Sequence, residues 1–569
     1  MFLTTDGSNA PLCPDHSDQN KKYWCLSKRQ LCDVECLLNG AYFPLTGFLD
    51  TDDYASVCTN MRLHDGALWP IPITLDVSEP FAFAIQLGEQ IVLTNDENTP
   101  LAILTVTSKW HPDKEQEARL VFGTTDKKHP GVHYLFNEAG PWYLGGKLTA
   151  LSPLVHYDFI EYRHTPAELK QLFTIYGWSK IIAFQTRNPI HRAHYELTRR
   201  AAETVNAHLL IHPVIGMTKP GDVDAATRVK CYEAILEKYP NQGAMLSLLP
   251  IAMRMAGPRE ALWHAIIRKN YGVTHFIVGR DHAGPGLNSL GVPFYDPYAA
   301  QTLVLEHAAE IGIEIITFPA MVYVKEKAAF LTVNETTPQD TIEDISGTEL
   351  RRRLEKRLDI PAWFSFPEII HLLQRAYPPK HEQGLTLFFT GLSGAGKSTL
   401  AKAVLAKLLE SNQRRVTLLD GDILRKHLSS ELGFSMADRN THIQRMGFVA
   451  SEITKHKGIA ICAAIAPYAS TRQSVRDMVS QHGGFMEIYV STPITVCKQR
   501  DIKGLYKKAE LGLISGFTGV DDPYEEPRHA DLVIDTSRQS VAEAVQLIMS
   551  TLDKLGFRNI PATALSLHL

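Results

Sequence analysis

Gly391-Leu-Ser-Gly-Ala-Gly-Lys-Ser398 restricts the fold of this chain more than any other segment. It fits G-x-x-x-x-G-K-S, with the apolar run Leu385–Thr390 before it and Thr399-Leu-Ala-Lys-Ala-Val-Leu-Ala-Lys-Leu-Leu409 after it. That layout requires a strand that turns tightly into a helix. The glycines let backbone N–H groups turn toward phosphate oxygens, and the helix N-terminus favours anions. Lys397 is predicted to reach the β- and γ-phosphates of ATP, and the Ser398 hydroxyl to bind Mg²⁺. Gly391, Ser393, Gly394, Ala395, Gly396, Lys397, Ser398 and Thr399 are the expected contacts. Mg²⁺ with ATP is the expected cofactor, with no organic prosthetic group.

The strand before the loop opens an alternating unit. Its further strands are predicted at Val416–Leu419, Ile459–Ala463, Met486–Val490 and Leu532–Ile534. Strand–helix alternation implies a parallel sheet flanked by helices. Asp420-Gly-Asp422 follows the second of these strands, where side chains face the ligand crevice of an open α/β sheet. One carboxylate there can orient an acceptor hydroxyl or help to hold Mg²⁺; Asp-Gly is equally a turn signal. The unit is short, which suits a small-molecule kinase. The Pro- and Gly-containing stretch Arg375–Gly384 reads as the linker before it.

A second alternating unit starts near Lys180, with strands expected at Ile181–Phe184, His208–His212 and Thr274–Val278. Gln185-Thr-Arg-Asn-Pro-Ile-His-Arg-Ala-His194 follows the first of them. Asn188 is the expected N-cap and Pro189 the first helical residue, so His191 and His194 share one face of the opening turns. With Arg187 they suggest a polyphosphate site without a glycine loop. Gly279-Arg-Asp-His-Ala-Gly284 follows the third strand, and Arg280 is expected to point into the same crevice. Lys219, Arg228, Arg254 and Arg259 are expected to add positive charge in nearby loops.

The first ~160 residues carry short β-like runs, Ile71–Asp76, Gln90–Thr94 and Leu101–Val106, punctuated by Gly and Pro. Thr165-Pro-Ala-Glu168 then signals a capped helix start and a domain boundary. Composition narrows the function classes. Of the 569 residues, 58 are Lys or Arg and 62 are Asp or Glu, giving −4; that balance argues against a general nucleic-acid or membrane-surface binder. No apolar run suits a membrane span, and Met1–Asn20 is polar and acidic without a signal layout, so a cytoplasmic protein is expected. Eight cysteines are too few for a disulfide scaffold. Cys13, Cys25, Cys32 and Cys36 cluster, but without a C-x-x-C pair they read as reduced thiols in preference to a zinc site.

The motifs resemble a known family pair. Gln185–His194, Met253-Arg-Met-Ala-Gly-Pro-Arg-Glu-Ala261, Gly279–Gly284, Asn39–Phe48 and Ile345–Arg351 are similar to ATP sulfurylase (sulfate adenylyltransferase). Gly391–Ser398, Asp420–Asp422, Leu432–Ser435, Lys503–Ala509 and Gly516–Pro527 resemble adenylylsulfate (APS) kinase. The resemblance implies an α/β multidomain chain: a mostly-β PUA-like domain over 1–164, a Rossmann-like nucleotidylyltransferase domain over 165–376, and a P-loop kinase domain with a parallel sheet over 384–569. It implies two reactions, ATP plus sulfate to APS and pyrophosphate, then 3′-phosphorylation of APS to PAPS, and a homo-oligomer, dimer or hexamer.

The resemblance also assigns residues. Catalysis falls to Thr186, Arg187 and Asn188, with His191 and His194 stabilising the transition state and Arg280 a further catalytic position in the same crevice. Sulfate contacts match Gln185, Arg187 and Ala283. ATP contacts match Gln185, Thr186, Arg187, Asn188, Gly279, Arg280, Asp281, His282 and Val322. In the kinase, Lys397 and Asp422 match catalytic positions, and Asp422, Arg425, Phe434, Arg439, His442, Ile465, Lys503, Phe517 and Thr518 match APS contacts. The chain departs from the family where His442, Gln444, Ala466 and Ala469 replace the usual Asn, Arg, Ser and Arg, and where Pro319 replaces Phe. A C-terminal unit serving only as a regulatory binding module is the competing reading, as is a sulfurylase run toward ATP synthesis.

Overall fold

The computed structural model describes residues 21–219, 222–240, 243–411 and 414–558. The chain divides into two compact units. The first runs through Leu350 and adds Asp359–Ala376; the second is Arg351–Leu358 with Tyr377 onward.

The first unit opens with a six-stranded sheet: β1 (Lys22–Cys25), β2 (Gly47–Phe48), β3 (Leu75–Val77), β4 (Gln90–Thr94), β5 (Pro100–Trp110) and β6 (Trp142–Ala150). Its order is β1-β4-β5-β6-β2, with β3 also on β6. The predicted strand Ile71–Asp76 shrinks to Leu75–Val77. The β reading omitted five helices in this region. Their start signals are local: Ser27 and Gln30 form a capping box, and Asp50 and Asp113 each accept two backbone N–H groups. The capped start at Thr165 is present, with Pro166 in the first turn and Glu168 completing the box.

A parallel sheet follows, made of β7 (Ile181–Phe184), β8 (His208–Ile211), β9 (Ala244–Leu246), β10 (His275–Val278) and β11 (Glu314–Thr317), in the order β11-β10-β7-β8-β9. β7 and β10 are buried throughout, as helices on both faces require. The strand order reverses between β7 and β10, and a crevice opens beyond the carboxyl ends of strands at such a point. A small antiparallel sheet of β12 (Met321–Val324), β13 (Ala329–Thr332) and β14 (Ile342–Glu343) completes this unit.

The second unit is a parallel sheet of β15 (Leu385–Thr390), β16 (Val416–Asp420), β17 (Ile459–Ala463), β18 (Gly484–Val490) and β19 (Leu532–Ile534), ordered β16-β17-β15-β18-β19. Every residue of β15 is buried. The helix Lys397–Glu410 leaves the loop that follows it. Among the described residues, no helix is long and apolar enough to cross a membrane.

Candidate active sites

In the first unit, the loops after β7 and β10 leave from the same edge because the two strands run parallel, with Phe184 opposite Ile277. The Thr186 hydroxyl donates to the Asn188 carbonyl at 2.8 Å and accepts the Asn188 N–H at 3.0 Å, which folds the loop. From the helix Ala225–Leu236, Arg228 donates to the carbonyls of Val214 (2.7 Å) and Arg187 (3.2 Å), and Tyr232 donates to that of Asn188 (3.0 Å). The loop backbone is therefore tied down while the Arg187 side chain projects from it to Asp222, at 2.7 Å.

The helix begins later than the sequence suggested. It spans Arg192–Val205 with His191 at the N-cap, replacing the expected Asn188 cap and Pro189 start. The Arg192 N–H finds the Phe364 carbonyl at 3.2 Å, a partner from a distant segment that local capping rules cannot anticipate. His191 and His194 still lie three residues apart near the helix start. Burial, with His194 adding to it, pulls His191 down to about 3, and burial lowers His194 as well. Both rings are neutral near pH 7 and act as hydrogen-bonding groups without net charge. Among the described residues, the side-chain oxygen of Gln185 and Nδ1 of His194 are buried without a hydrogen-bond partner.

Across the crevice, Asp281 has a left-handed backbone (φ +53°). Burial raises its carboxyl above the usual range, against the opposing charges of Arg280, Arg187 and Lys219. Charges from both loops thus meet in one place. The space beside Gly279 is open: a Cβ there would meet no atom within 4 Å. His282 is fixed from behind by His264, its Nε2 3.0 Å from His264 Nδ1, and Glu260 lies 3.3 Å from the other nitrogen of His264. Ala283 accepts the Gly257 N–H at 3.3 Å. Val322 lies on β12, paired with Leu331; Arg200 of the helix Arg192–Val205 donates to the Phe330 carbonyl of β13 at 2.7 Å.

Three of the four cations expected to charge this crevice are braces. Arg254 is buried against Asp33 at 2.6 Å, Arg259 donates to the carbonyls of Val57, Pro70 and Cys58, and Arg228 holds the loop backbone as described. The sequence placed them in loops near the site; what it could not show is that carbonyls and a buried carboxylate already use their donors.

In the second unit, Gly391 and Gly394 have φ of +144° and +76°. A Cβ on Gly391 would lie 2.5 Å from the Val490 carbonyl oxygen, so only glycine fits that turn. Lys397 is buried and donates to the carbonyls of Gly391 (2.9 Å) and Leu392 (2.8 Å). Burial pulls its pKa down to about 8, and the charges of Lys503, Asp422 and Asp420 all reach it. Ser398 donates to Asp420 at 3.0 Å. The other Asp420 oxygen accepts the Asp422 N–H at 3.0 Å and caps the helix Gly421–Leu428. Asp422 itself is ion-paired with Lys503. Ser393, Ala395, Gly396 and Thr399 lie along the same loop and helix start; the carbonyls of Ser393 and Ala395 are held by Tyr506, Thr492 and Thr536.

The expected APS-binding positions cluster around this loop. Arg425 lies 4.5 Å above the Phe434 ring. Arg439 is paired with Asp522 at 2.6 Å and also bonds Thr518 and the Gly516 carbonyl. Phe517 packs on Tyr506. The Ile465 carbonyl accepts the Thr390 hydroxyl at 2.6 Å. His442 is buried on Ser429 at 3.0 Å, and burial pulls it down to about 4, so it adds no charge. Gln444 is exposed. Ala466 is buried with φ +46°, and Arg472 holds its carbonyl at 2.8 Å.

Among the described residues, no three His, Cys, Asp or Glu side chains are grouped to hold a metal ion. Cys32 and Cys36 are free thiols, and burial pushes Cys32 up to about 12; Cys13 lies outside the described residues. Sequence reasoning missed Asp222, Ser365 and the His264–Glu260 pair behind His282. Ser365 contacts His191 across 174 residues, and no local pattern marks such a partner.

Three family models match the chain: PUA-like domain over 13–153, ATP-sulfurylase over 160–376, and adenylylsulphate kinase over 383–535. The sulfate adenylyltransferase of Mycosarcoma maydis is 52% identical over 535 residues, 93% of each chain. That of Aspergillus fumigatus is 50% identical over 536 residues, 94% of this chain and 93% of the relative. A solved structure described as a hexameric APS kinase from Thiobacillus denitrificans is 38% identical, with a TM-score of 0.76, and the match covers 95% of this chain and 94% of that one.

Proposed function

The chain belongs to the sulfate adenylyltransferase family and carries an adenylylsulphate kinase domain, and we propose that it activates sulfate in two steps at the two sites described above. It is a bifunctional enzyme: ATP and sulfate give APS and pyrophosphate, and a second ATP phosphorylates APS to PAPS. The working divisions are 1–164, 165–376 and 384–569.

At the first site, a sulfate oxygen attacks the α-phosphorus and pyrophosphate leaves with the electron pair of the broken P–O bond. Both reactants are anions and sulfate is a weak nucleophile, so alignment and charge neutralisation carry the rate. Arg187 presents sulfate, with Gln185 and Ala283 lining the same position. Thr186, Asn188, Gly279, Arg280, Asp281, His282 and Val322 hold ATP. His191 and His194 donate neutral N–H groups toward the departing pyrophosphate, with Arg280 nearby.

At the second site, the APS 3′-oxygen attacks the γ-phosphorus in line and ADP leaves. Asp422 accepts the hydroxyl proton, and Lys397 follows the transferring phosphoryl charge. Arg425, Phe434, Arg439, His442, Ile465, Lys503, Phe517 and Thr518 form the APS pocket. Hard oxygen donors suit Mg²⁺, and the Ser398 hydroxyl beside the Asp420 carboxylate meets that requirement. These two residues would hold the ion, which supplies charge neutralisation at the β- and γ-phosphates.

One observation carries the reading of the C-terminal unit as a working kinase. Lys397, Ser398, Asp420 and Asp422 converge on an intact phosphate loop, which a purely regulatory module has no need to keep. Cytoplasmic placement and a homo-oligomer, dimer or hexamer, complete the proposal; the hexameric relative supports the latter. The test is Arg187→Ala: production of APS from sulfate should be abolished while phosphorylation of supplied APS continues. Loss of both activities together would break the assignment of two separate sites.

A further inference from the structure

Ser365 Oγ lies 2.8 Å from Nδ1 of His191. The segment that carries it covers the start of the helix Arg192–Val205. The Phe364 ring packs on the His191 ring with 4.6 Å between centroids, and the Arg192 guanidinium lies 4.3 Å over Phe366. Ser365 is 2% exposed. Its hydroxyl makes no other hydrogen bond among the described residues.

Two proton arrangements satisfy the 2.8 Å contact. If Nδ1 carried the proton and donated to Ser365, the serine hydroxyl would be left with its own proton buried and without an acceptor, which is unfavourable. If Ser365 donates, Nδ1 is the acceptor and both groups are satisfied. The ring is neutral, so its single proton then sits on Nε2. Nε2 makes no hydrogen bond within the described chain and is left for a ligand.

We infer that Ser365 is a positioning residue of the sulfurylase site: by donating to Nδ1 it fixes the Nε2–H tautomer of His191, the neutral form whose free nitrogen donates to an anionic oxygen. The other tautomer would turn a lone pair toward the leaving pyrophosphate and repel it. The inference rests on the reading of His191 as a pyrophosphate-side donor.

The test is a double-mutant cycle on the full chain with ATP, Mg²⁺ and sulfate, following pyrophosphate release. Ser365→Ala should lower kcat about tenfold, with KM for ATP and sulfate changed less than about twofold, because the lost effect acts in the transition state. A Gln at position 191 carries its N–H donor near the Nε2 position whatever residue 365 is. In the His191→Gln background, Ser365→Ala should therefore change kcat less than about twofold. The ¹⁵N spectrum of His191 should show a protonated Nε2 and a bare Nδ1 in the wild type. Phosphorylation of supplied APS and the melting temperature check that each variant is folded. An unchanged kcat in Ser365→Ala, an undiminished effect in the His191→Gln background, or a protonated Nδ1 overturns the inference. If His191→Ala, which removes the donor, runs at the wild-type rate, the role of His191 fails first and the role of Ser365 with it.

Discussion

Nη1 of Arg187 meets both carboxylate oxygens of Asp222, each at 2.7 Å. One nitrogen carries the whole pair, and Nη2 and Nε make no hydrogen bond among the described residues. Asp222 also accepts the Lys219 N–H at 3.3 Å. The carboxylate thus sets the plane of the guanidinium and leaves its outer edge for an oxyanion.

Asp222→Asn removes the charge and loosens that plane. The expected result is a lower KM for sulfate, because a competing anion is gone, with kcat down about tenfold through lost alignment. Steady-state kinetics of APS formation check both; an unchanged kcat would remove the orienting role.

Asp33 and Arg254 form a buried ion pair at 2.6 Å between the helix Lys28–Leu38 and the segment ahead of the helix Gly257–Asn270. Burial opposes the Arg254 charge, but Asp33 and its hydrogen bonds outweigh burial and hold the guanidinium above its ordinary value. Asp33→Asn leaves that charge buried and poorly matched, which should cost about 3–5 kcal/mol. Denaturant unfolding measures it, and the first unit's transition should move while the second unit's stays in place.

The first unit should be acid-labile. Burial lowers His129 to about 4 and His191 to about 3, and drives His212, His264 and His282 well below the usual range. Unfolded histidine titrates near about 6.5. Between these values the unfolded chain binds more protons, so the stability of the neutral buried rings is complete above about pH 6.5 and lost as pH falls. Calorimetry from pH 7.5 downward should show the unit's melting temperature falling steeply below about pH 6.5; a flat curve to about pH 5 contradicts it.

Lys397 gives linkage of the same sign in the second unit, in a more alkaline window: burial disfavours its charged form, so stability rises as pH climbs from about 8 toward the unfolded value. Its folded pKa of about 8 lies below the model-compound value of 10.5, chiefly through burial. At pH 7 it is buried and charged at a cost to stability. Lys397→Met should therefore raise that unit's melting temperature while ending phosphoryl transfer. A lower melting temperature would mean that the bonds to the Gly391 and Leu392 carbonyls outweigh the buried charge.

The buried strands of both parallel sheets were legible in the sequence because they read as short apolar runs: Ile181–Phe184, Leu385–Thr390 and Ile459–Ala463 are strands over the residues expected, as is the more exposed Leu532–Ile534, whereas the short, partly exposed strands Ala244–Leu246 and Glu314–Thr317 were not anticipated. The phosphate loop was legible because its chemistry is local. What stayed hidden depends on distant partners. The cap on Arg192 comes from Phe364, the acceptor for Arg254 is Asp33, and the hydrogen-bond partner of His191 Nδ1 is Ser365. A cationic residue near a motif cannot be told from a brace until its hydrogen bonds are known, as Arg228 and Arg259 illustrate.

Labelled sulfate with ATP, Mg²⁺ and pyrophosphatase tests the two-step account most directly. Label should pass from sulfate to APS and then to PAPS in the full chain, and Lys397→Ala should stop it at APS. A wild-type chain that accumulates APS and leaves supplied APS unphosphorylated would contradict the account and make the C-terminal unit a binding module.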